Sequence, residues 1–167
     1  ALFQALQGEN ASNIEKIILT CSGGPFYFNK NTDLHSVDVK QALNHPVWRM
    51  GEKISIDSAT LMNKGFEMIA AKHLFNLSSN QIEILHPEGV VHSLVQFKDG
   101  AMKAILAPPD MRLPITYALF YPERAEANWP RLQLSTLRSL TFYPPDFSVF
   151  EGPLLAYNVL QKDSRYA

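Results

Sequence analysis

The 167 residues are 46% hydrophobic, 19% charged and 11% aromatic, and fifteen basic side chains against sixteen acidic ones leave a formal net charge of −1. That is enough chain for one core burying about 70% of its unfolded surface and too little for two full-sized domains. Near-neutral charge gives no footprint for nucleic acid or an anionic membrane, no apolar run reaches the roughly 18 residues of a membrane span, and the single Cys21 excludes an internal disulfide or a Cys-based zinc site.

In chain order, Ala1 to Leu6 reads as an apolar helical stretch with no capping residue before it. The β-branched run from Ile14 to Thr20 predicts a strand that emerges into Cys21-Ser22-Gly23-Gly24-Pro25-Phe26. Between 22 and 51, three glycines, two prolines and few regular apolar repeats predict a long loop with one short helix, the kind that serves as a lid or binding loop. Lys53 to Asp57 alternates and predicts a strand. Ser58-Ala59-Thr60 then opens a predicted helix carrying Met62, Phe66, Ile69, Ala70 and Leu74 on its apolar face and stopping at Asn76.

Ile82 to His86 and Val90 to Phe97 predict strands, the second joined through Asp99-Gly100 to a third over Ala101 to Ala107; an Asp-Gly pair between alternating runs is a strong hairpin signal. Eight of the eleven prolines lie from Pro108 onward, which marks a change of organisation: a helix from Pro114 to Phe120, then an extended linker to about Pro145 with a short strand at Leu137 to Phe142. Helical spacing returns at Leu154 to Leu160 and meets no glycine cap, so with its uncapped start the chain is expected to be cut from something longer. Interleaved strands and helices around a hairpin give an α/β or α+β class with a mixed, largely antiparallel sheet.

The chemistry concentrates in residues 55–67. Thr60, Asn63, Lys64 and Glu67 fall at i, i+3, i+4 and i+7, one stripe of a helix, and Ser58 is placed near its start, where free N–H groups and the positive dipole end favour an anion. A hydroxyl, an amide, an ammonium and a carboxylate within two turns suit a hydroxylated phosphate ester, with Lys64 as a point charge and Glu67 as a metal ligand or base. The alternative is a solvated face with a Lys64–Glu67 pair worth a few tenths of a kcal/mol. Gly65 costs about 1 kcal/mol inside a helix, and either close approach of a ligand or helix packing explains it. The Ser22 loop offers backbone N–H groups and a hydroxyl to an anion. His45, with Trp48 and Met50 nearby, reads either as a phosphate ligand under an apolar flap or as a packing feature. His86 and His92 lack a third metal ligand, so structural roles are expected, and Cys21 is expected to be a buried inert thiol. A serine hydrolase built on Ser22 and His45 is disfavoured, because Ser22 lacks the flanking glycine pattern of a nucleophile elbow.

Four segments, Thr20-Cys21-Ser22-Gly23-Gly24-Pro25-Phe26, His45-Pro46-x-Trp48-x-Met50-Gly51, Asp57-Ser58-Ala59-Thr60-x-Met62-Asn63-Lys64-Gly65-x-Glu67 and Pro109-Asp110-Met111-Arg112-x-Pro114-Ile115, occur in an order and spacing that resembles the 1-deoxy-D-xylulose 5-phosphate reductoisomerase family. The resemblance covers essentially the whole chain. It implies an α+β fold similar to the C-terminal domain of glyceraldehyde-3-phosphate dehydrogenase, with helices on one face of the sheet, and with the family's N-terminal Rossmann domain missing. It divides the chain into a central catalytic domain at 1–121 with a flap at 22–52, a linker at 122–146, and the start of a truncated C-terminal helical domain at 147–167.

The resemblance further implies an enzyme dependent on NADPH and a divalent metal (Mn2+, Mg2+ or Co2+), which isomerises and reduces a small phosphosugar in non-mevalonate isoprenoid synthesis. On matching positions it makes Ser22, His45, Ser58, Asn63 and Lys64 substrate ligands, chiefly around the phosphate. Glu67 becomes a metal ligand and, with Lys64, a catalytic residue; Trp48 and Met50 line the substrate under the flap, and Gly51 touches the nicotinamide cofactor. A homodimer is implied, with no nucleic acid or membrane partner, in the cytoplasm of a bacterium or a plastid-type organelle of a eukaryote. The family's two further metal carboxylates precede Ala1, and Gly89 stands where the family usually has serine. A non-catalytic phosphosugar-binding or dimerisation module is the alternative function.

Overall fold

A computed structural model describes residues 1–27, 33–87 and 89–162; parts of the expected flap (28–32), Glu88 of the turn after His86 and the last five residues of the expected helical domain lie outside the described residues. The elements are α1 (Leu2–Ala5), β1 (Ile14–Thr20), α2 (Val39–Leu43), α3 (Glu52–Ala59), α4 (Met62–Phe75), β2 (Ile82–Pro87), β3 (Val91–Phe97), β4 (Met102–Leu106), α5 (Arg112–Phe120), α6 (Leu134–Leu137), β5 (Phe142–Tyr143) and α7 (Gly152–Lys162). The strands form one mixed sheet in the order β4-β3-β1-β2-β5, in which only β1 and β2 run parallel.

β1 lies between β3 and β2, and its Ile17, Ile18 and Leu19 are buried in succession, as a central strand covered on both faces requires. One face carries the main core: Ile17, Leu19, Ile84 and Val95 meet Met68 and Ala71 of α4 and Ala156 and Leu160 of α7. The other holds only a small cluster around Ile18, Val91 and Leu94. The sheet is therefore mixed and largely antiparallel with its helices on one face, as expected. The Asp99-Gly100 turn joins β3 to β4, with Gly100 at φ +89°.

Several local expectations are corrected. Residues 53–57 are helical, not a strand: Gly51 is the N-cap of α3, Ser55 Oγ donates to the Gly51 carbonyl at 3.0 Å, and the alternating Ile54 and Ile56 never form a buried strand face, since Ile56 is exposed. Ser58 thus belongs to the last turn of α3 rather than to the start of the next helix. The two helices are separated by Leu61, buried and left-handed at φ 56°. The buried stripe of α4 is Lys64, Gly65, Met68 and Ala71, while Phe66 and Leu74 of the expected apolar face are exposed. The expected strand at Leu137 to Phe142 is instead α6 followed by β5, which pairs Tyr143 with His86 and Phe142 with Pro87.

Gly65 is explained by packing. A Cβ there would lie 3.0 Å from the Gly152 carbonyl oxygen and 3.2 Å from Ala156 Cβ, so the glycine lets α4 and α7 cross closely. Gly152 sits closer still, with Met62 N and Cα each 2.9 Å from where its Cβ would be.

Candidate functional site

Parallel pairing of β1 with β2 sets Thr20 beside Leu85, and the chain leaves β1 into the Ser22 loop. Two left-handed glycines turn that loop, Gly23 at φ +87° and Gly24 at φ +64°. A Cβ on Gly24 would stand 2.7 Å from the Ser58 carbonyl oxygen, so the loop is pressed onto the last turn of α3. Ser22 and Ser58, 36 positions apart in sequence, are neighbouring walls of one cavity of about 910 Å³.

Trp48, Met50, Asn63, Lys64 and Glu67 line the same cavity. His45 and Gly51 line a smaller adjoining cavity of about 520 Å³, which shares Trp48 and Met50 with the first. The residues expected to bind substrate, metal or cofactor therefore line one of two contiguous hollows, while Thr60 of the expected polar stripe lines neither. Gly51 needs no glycine geometry, because nothing lies within 4 Å of where its Cβ would be.

On α4 the polar stripe is a closed triad. Lys64 Nζ, nearly buried, donates to Glu67 Oε2 at 2.6 Å and to the Thr20 carbonyl at 2.7 Å, and Asn63 Nδ2 donates to Glu67 Oε1 at 2.8 Å. Both carboxylate oxygens are thus held, and the ammonium is fixed to the end of β1. A buried ammonium with one half-exposed counter-charge is a poor stability device and a good fixed charge for an anion entering the cavity.

His45 is oriented by its own loop. Nδ1 accepts from the backbone N–H groups of Val47 (3.1 Å) and Trp48 (2.9 Å), which leaves the proton on Nε2, 2.9 Å from Ser22 Oγ. Ser22 Oγ therefore accepts from His45 and has its own proton to give to a ligand. Burial pushes the His45 pKa down, in keeping with a neutral ring.

Beneath the loop, Cys21 is buried beside the fully buried His86. Burial pushes the thiol up to about 12 and the imidazole down to about 4, the latter helped by the Lys64 charge. Both are neutral and inert near pH 7, as expected for Cys21, and His92 Nε2 donates to the Ala107 carbonyl at 2.9 Å. Among the described residues no group of three His, Cys, Asp or Glu is placed to hold a metal ion, so Glu67 offers a single carboxylate to a hard cation that takes six or more oxygens.

Sequence reading missed the far wall of the cavity, which includes Arg49, Asp110, Met111, Trp129 and Arg131. Asp110 grips Arg112 with both carboxylate oxygens, and the Arg112 guanidinium lies over Trp129 at 5.2 Å. The signal in the sequence was the segment Pro109-Asp110-Met111-Arg112, which carried the family resemblance without a site role for Asp110 or Met111.

Comparison with known proteins converges on one family. A model described as 1-deoxy-D-xylulose 5-phosphate reductoisomerase C-terminal domain matches residues 1–75, and one described as DXP reductoisomerase C-terminal domain matches residues 106–167. The 1-deoxy-D-xylulose 5-phosphate reductoisomerase of Bacteroides fragilis is 52% identical over 163 residues, 97% of this chain and 42% of that protein. That of Persephonella marina is 53% identical over 156 residues, 93% of this chain and 41% of that protein. A crystallised DOX-P reductoisomerase in complex with NADPH, fosmidomycin and magnesium superposes with a TM-score of 0.89 at 42% identity, covering 96% of this chain and 42% of that one. The Zymomonas mobilis enzyme in complex with NADPH gives a TM-score of 0.87 at 38% identity, covering 98% and 42%. The chain thus spans about two fifths of the length of the relatives it matches.

Proposed function

Because this chain belongs to the 1-deoxy-D-xylulose 5-phosphate reductoisomerase family, we propose that it is the substrate-binding portion of an enzyme that isomerises 1-deoxy-D-xylulose 5-phosphate and reduces the product with NADPH to 2-C-methyl-D-erythritol 4-phosphate. The observation that carries this reading is the convergence of Ser22, Ser58, Asn63 and the buried Lys64 on one cavity large enough for a phosphosugar and part of a cofactor. These groups hold the phosphate end: Ser22 donates the proton that His45 leaves free, and Lys64 supplies fixed positive charge. Trp48 and Met50 shield the reacting carbons from water, and residues 122–146 serve as the linker to a helical domain that begins near 147.

Among the described residues, Glu67 is the ligand offered to the divalent cation (Mn2+, Mg2+ or Co2+). A single carboxylate does not make such a site, so every step described belongs to the protein's own groups. Lys64 and Asn63 keep Glu67 oriented toward the cavity, and Lys64 is the group placed to stabilise developing oxyanion charge or return a proton. Gly51 adjoins the cofactor, and the working form is a homodimer, cytoplasmic in a bacterium or in a plastid-type organelle in a eukaryote. The magnesium, NADPH and fosmidomycin complexes of structurally similar enzymes support the cofactor assignment.

The test is the full-length protein: NADPH oxidation that depends on 1-deoxy-D-xylulose 5-phosphate and on added Mg2+ or Mn2+, inhibited by fosmidomycin. Fosmidomycin binding without any turnover would replace this reading with a non-catalytic phosphosugar-binding module. Neither binding nor turnover would overturn both.

A further inference from the structure

The wall that carries Ser22 is supported from behind by a group that does not itself line the cavity. His86 is 0% exposed and is the penultimate residue of β2, directly beside the point where the chain leaves β1. The Cys21 N–H donates to the Leu85 carbonyl at 3.0 Å, so the two strand ends are locked in register there. The Cys21 sulfur lies 3.2 Å from Nδ1 and 3.3 Å from Nε2 of His86. The Tyr27 ring stacks on the same imidazole, with centroids 3.5 Å apart and planes inclined by 18°.

Cys21 and Tyr27 are the two ends of the turn that contains Ser22, and one ring holds both. Within the turn, a Cβ on Gly23 would come within 2.7 Å of Tyr27 Cβ, so the tyrosine fills the space under Gly23. The crest of the turn rests on α3 through Gly24 and Ser58. The turn is therefore clamped at its base by His86 and at its crest by α3, and Ser22 Oγ stands between them, bonded to His45. The clamp also reaches the extended segment, because Tyr27 O–H donates to the Pro144 carbonyl at 2.7 Å and Tyr143 pairs with His86 across β2 and β5.

We infer that His86 is a positioning residue for Ser22: a buried imidazole that ties Cys21 to Tyr27 and so fixes where the Ser22 hydroxyl meets the substrate. This rests on the reading of Ser22 as a ligand of the phosphosugar. His86 takes no part in proton transfer, being sealed from the cavity and neutral at working pH. Its contribution is geometric, and a misplacement of about 1 Å at a binding group is enough to cost one to two orders of magnitude.

The experiment is steady-state kinetics of the full-length enzyme with 1-deoxy-D-xylulose 5-phosphate and NADPH. His86→Leu, which removes the stack and both nitrogens, is expected to raise the KM for the phosphosugar about tenfold, with kcat and the KM for NADPH unchanged within about twofold. His86→Phe keeps a ring for Tyr27 to stack on and is expected to fall between His86→Leu and the parent. On a Ser22→Ala background the effect of His86→Leu should vanish, because the group being positioned is gone. An equal His86→Leu penalty with and without Ser22, or a loss confined to kcat, overturns the inference while leaving the site reading intact. Ser22→Ala with an unchanged KM overturns the site reading, and this inference with it. If His86→Leu fails to fold, Tyr27→Leu opens the same clamp from its outer side and carries the same expectation and the same two overturning outcomes.

Discussion

Gly152 and Met62 are in backbone contact: a Cβ on the first residue of α7 would lie 2.9 Å from both N and Cα of the first residue of α4, and 3.1 Å from the Thr60 carbonyl. Backbone cannot swing aside as a side chain can, so Gly152→Ala must push α7 off the α3–α4 junction. A loss of about 2 kcal/mol or more is expected, at the upper end of overpacking penalties. At Gly65 the contacts are looser and the helix-propensity gain of alanine, about 1 kcal/mol, opposes them, so Gly65→Ala should cost less than Gly152→Ala. Chemical denaturation of both variants checks the order.

Lys64→Met deletes the donor that the part-buried Thr20 carbonyl uses and releases Glu67 from its ion pair. The unsatisfied carbonyl should cost about 1–3 kcal/mol. In the full-length enzyme kcat/KM should fall about a hundredfold or more, an expected loss of the size seen when a preorganised charge is removed. Lys64→Arg should restore little of it, since a planar fork does not fit a pocket shaped for a point charge. Kinetics and a melting curve on the same preparations separate the two effects.

Glu67→Gln should be nearly silent for the fold, within about 1 kcal/mol, because the carboxylate is half exposed and its pairing with Lys64 is screened. Its expected consequence is at the cation: Mn2+ binding to the full-length protein, read by electron paramagnetic resonance, should weaken by about tenfold or more, in the range produced by disturbing a metal's surroundings.

His86 makes stability depend on pH. Its folded value of about 4 lies below the ordinary 6.5, so as pH falls the unfolded chain takes up this proton first. The stabilisation is complete above about pH 6.5 and is lost between there and about pH 4, on the order of 3 kcal/mol across the window. His45, also lowered by burial, acts in the same direction. Urea midpoints at pH 7, 5.5 and 4.5 should converge less in the parent than in His86→Phe, whose acid loss is smaller.

Cys21 should resist alkylation. With the thiol buried and pushed up to about 12, almost no thiolate exists at pH 8. Modification by iodoacetamide, followed by mass spectrometry, is expected only on the unfolding timescale, and labelling at the rate of a free thiol contradicts the placement of Cys21.

What the sequence revealed and what it hid follow from the range of the forces involved. β1, the Asp-Gly hairpin and the stop of α4 at Asn76 are written in local chemistry: a β-branched run, a turn dipeptide and a residue that tolerates φ 52°. The contiguity of Asn63, Lys64 and Glu67 is local too, because helical spacing alone brings them together. Residues 53–57 misled because Lys-Ile-Ser-Ile-Asp alternates like a strand, while the capping at Gly51, the Ser55 bond and packing against α2 and α4 decide for a helix. Lys64 shows the same limit from the other side. A lysine on a buried stripe reads as an error in patterning until the Thr20 carbonyl, 44 positions away, is known to receive it. The roles of His86 and Tyr27 were equally invisible, since nothing near either residue signals a ring stacked 59 positions away.

Leu61 breaks what would otherwise be one continuous helix, and that break separates two inheritances. α3 continues directly from the segment Trp48 to Gly51, so Ser58 takes its bearing from that segment and from the Gly24 turn pressed on it. α4 is bolted to the sheet and to α7, so Asn63, Lys64 and Glu67 take theirs from the rigid body. Insertions or deletions between residues 39 and 51 are therefore expected to shift the Ser58 edge of the cavity and to leave the edge formed by Asn63, Lys64 and Glu67 in place.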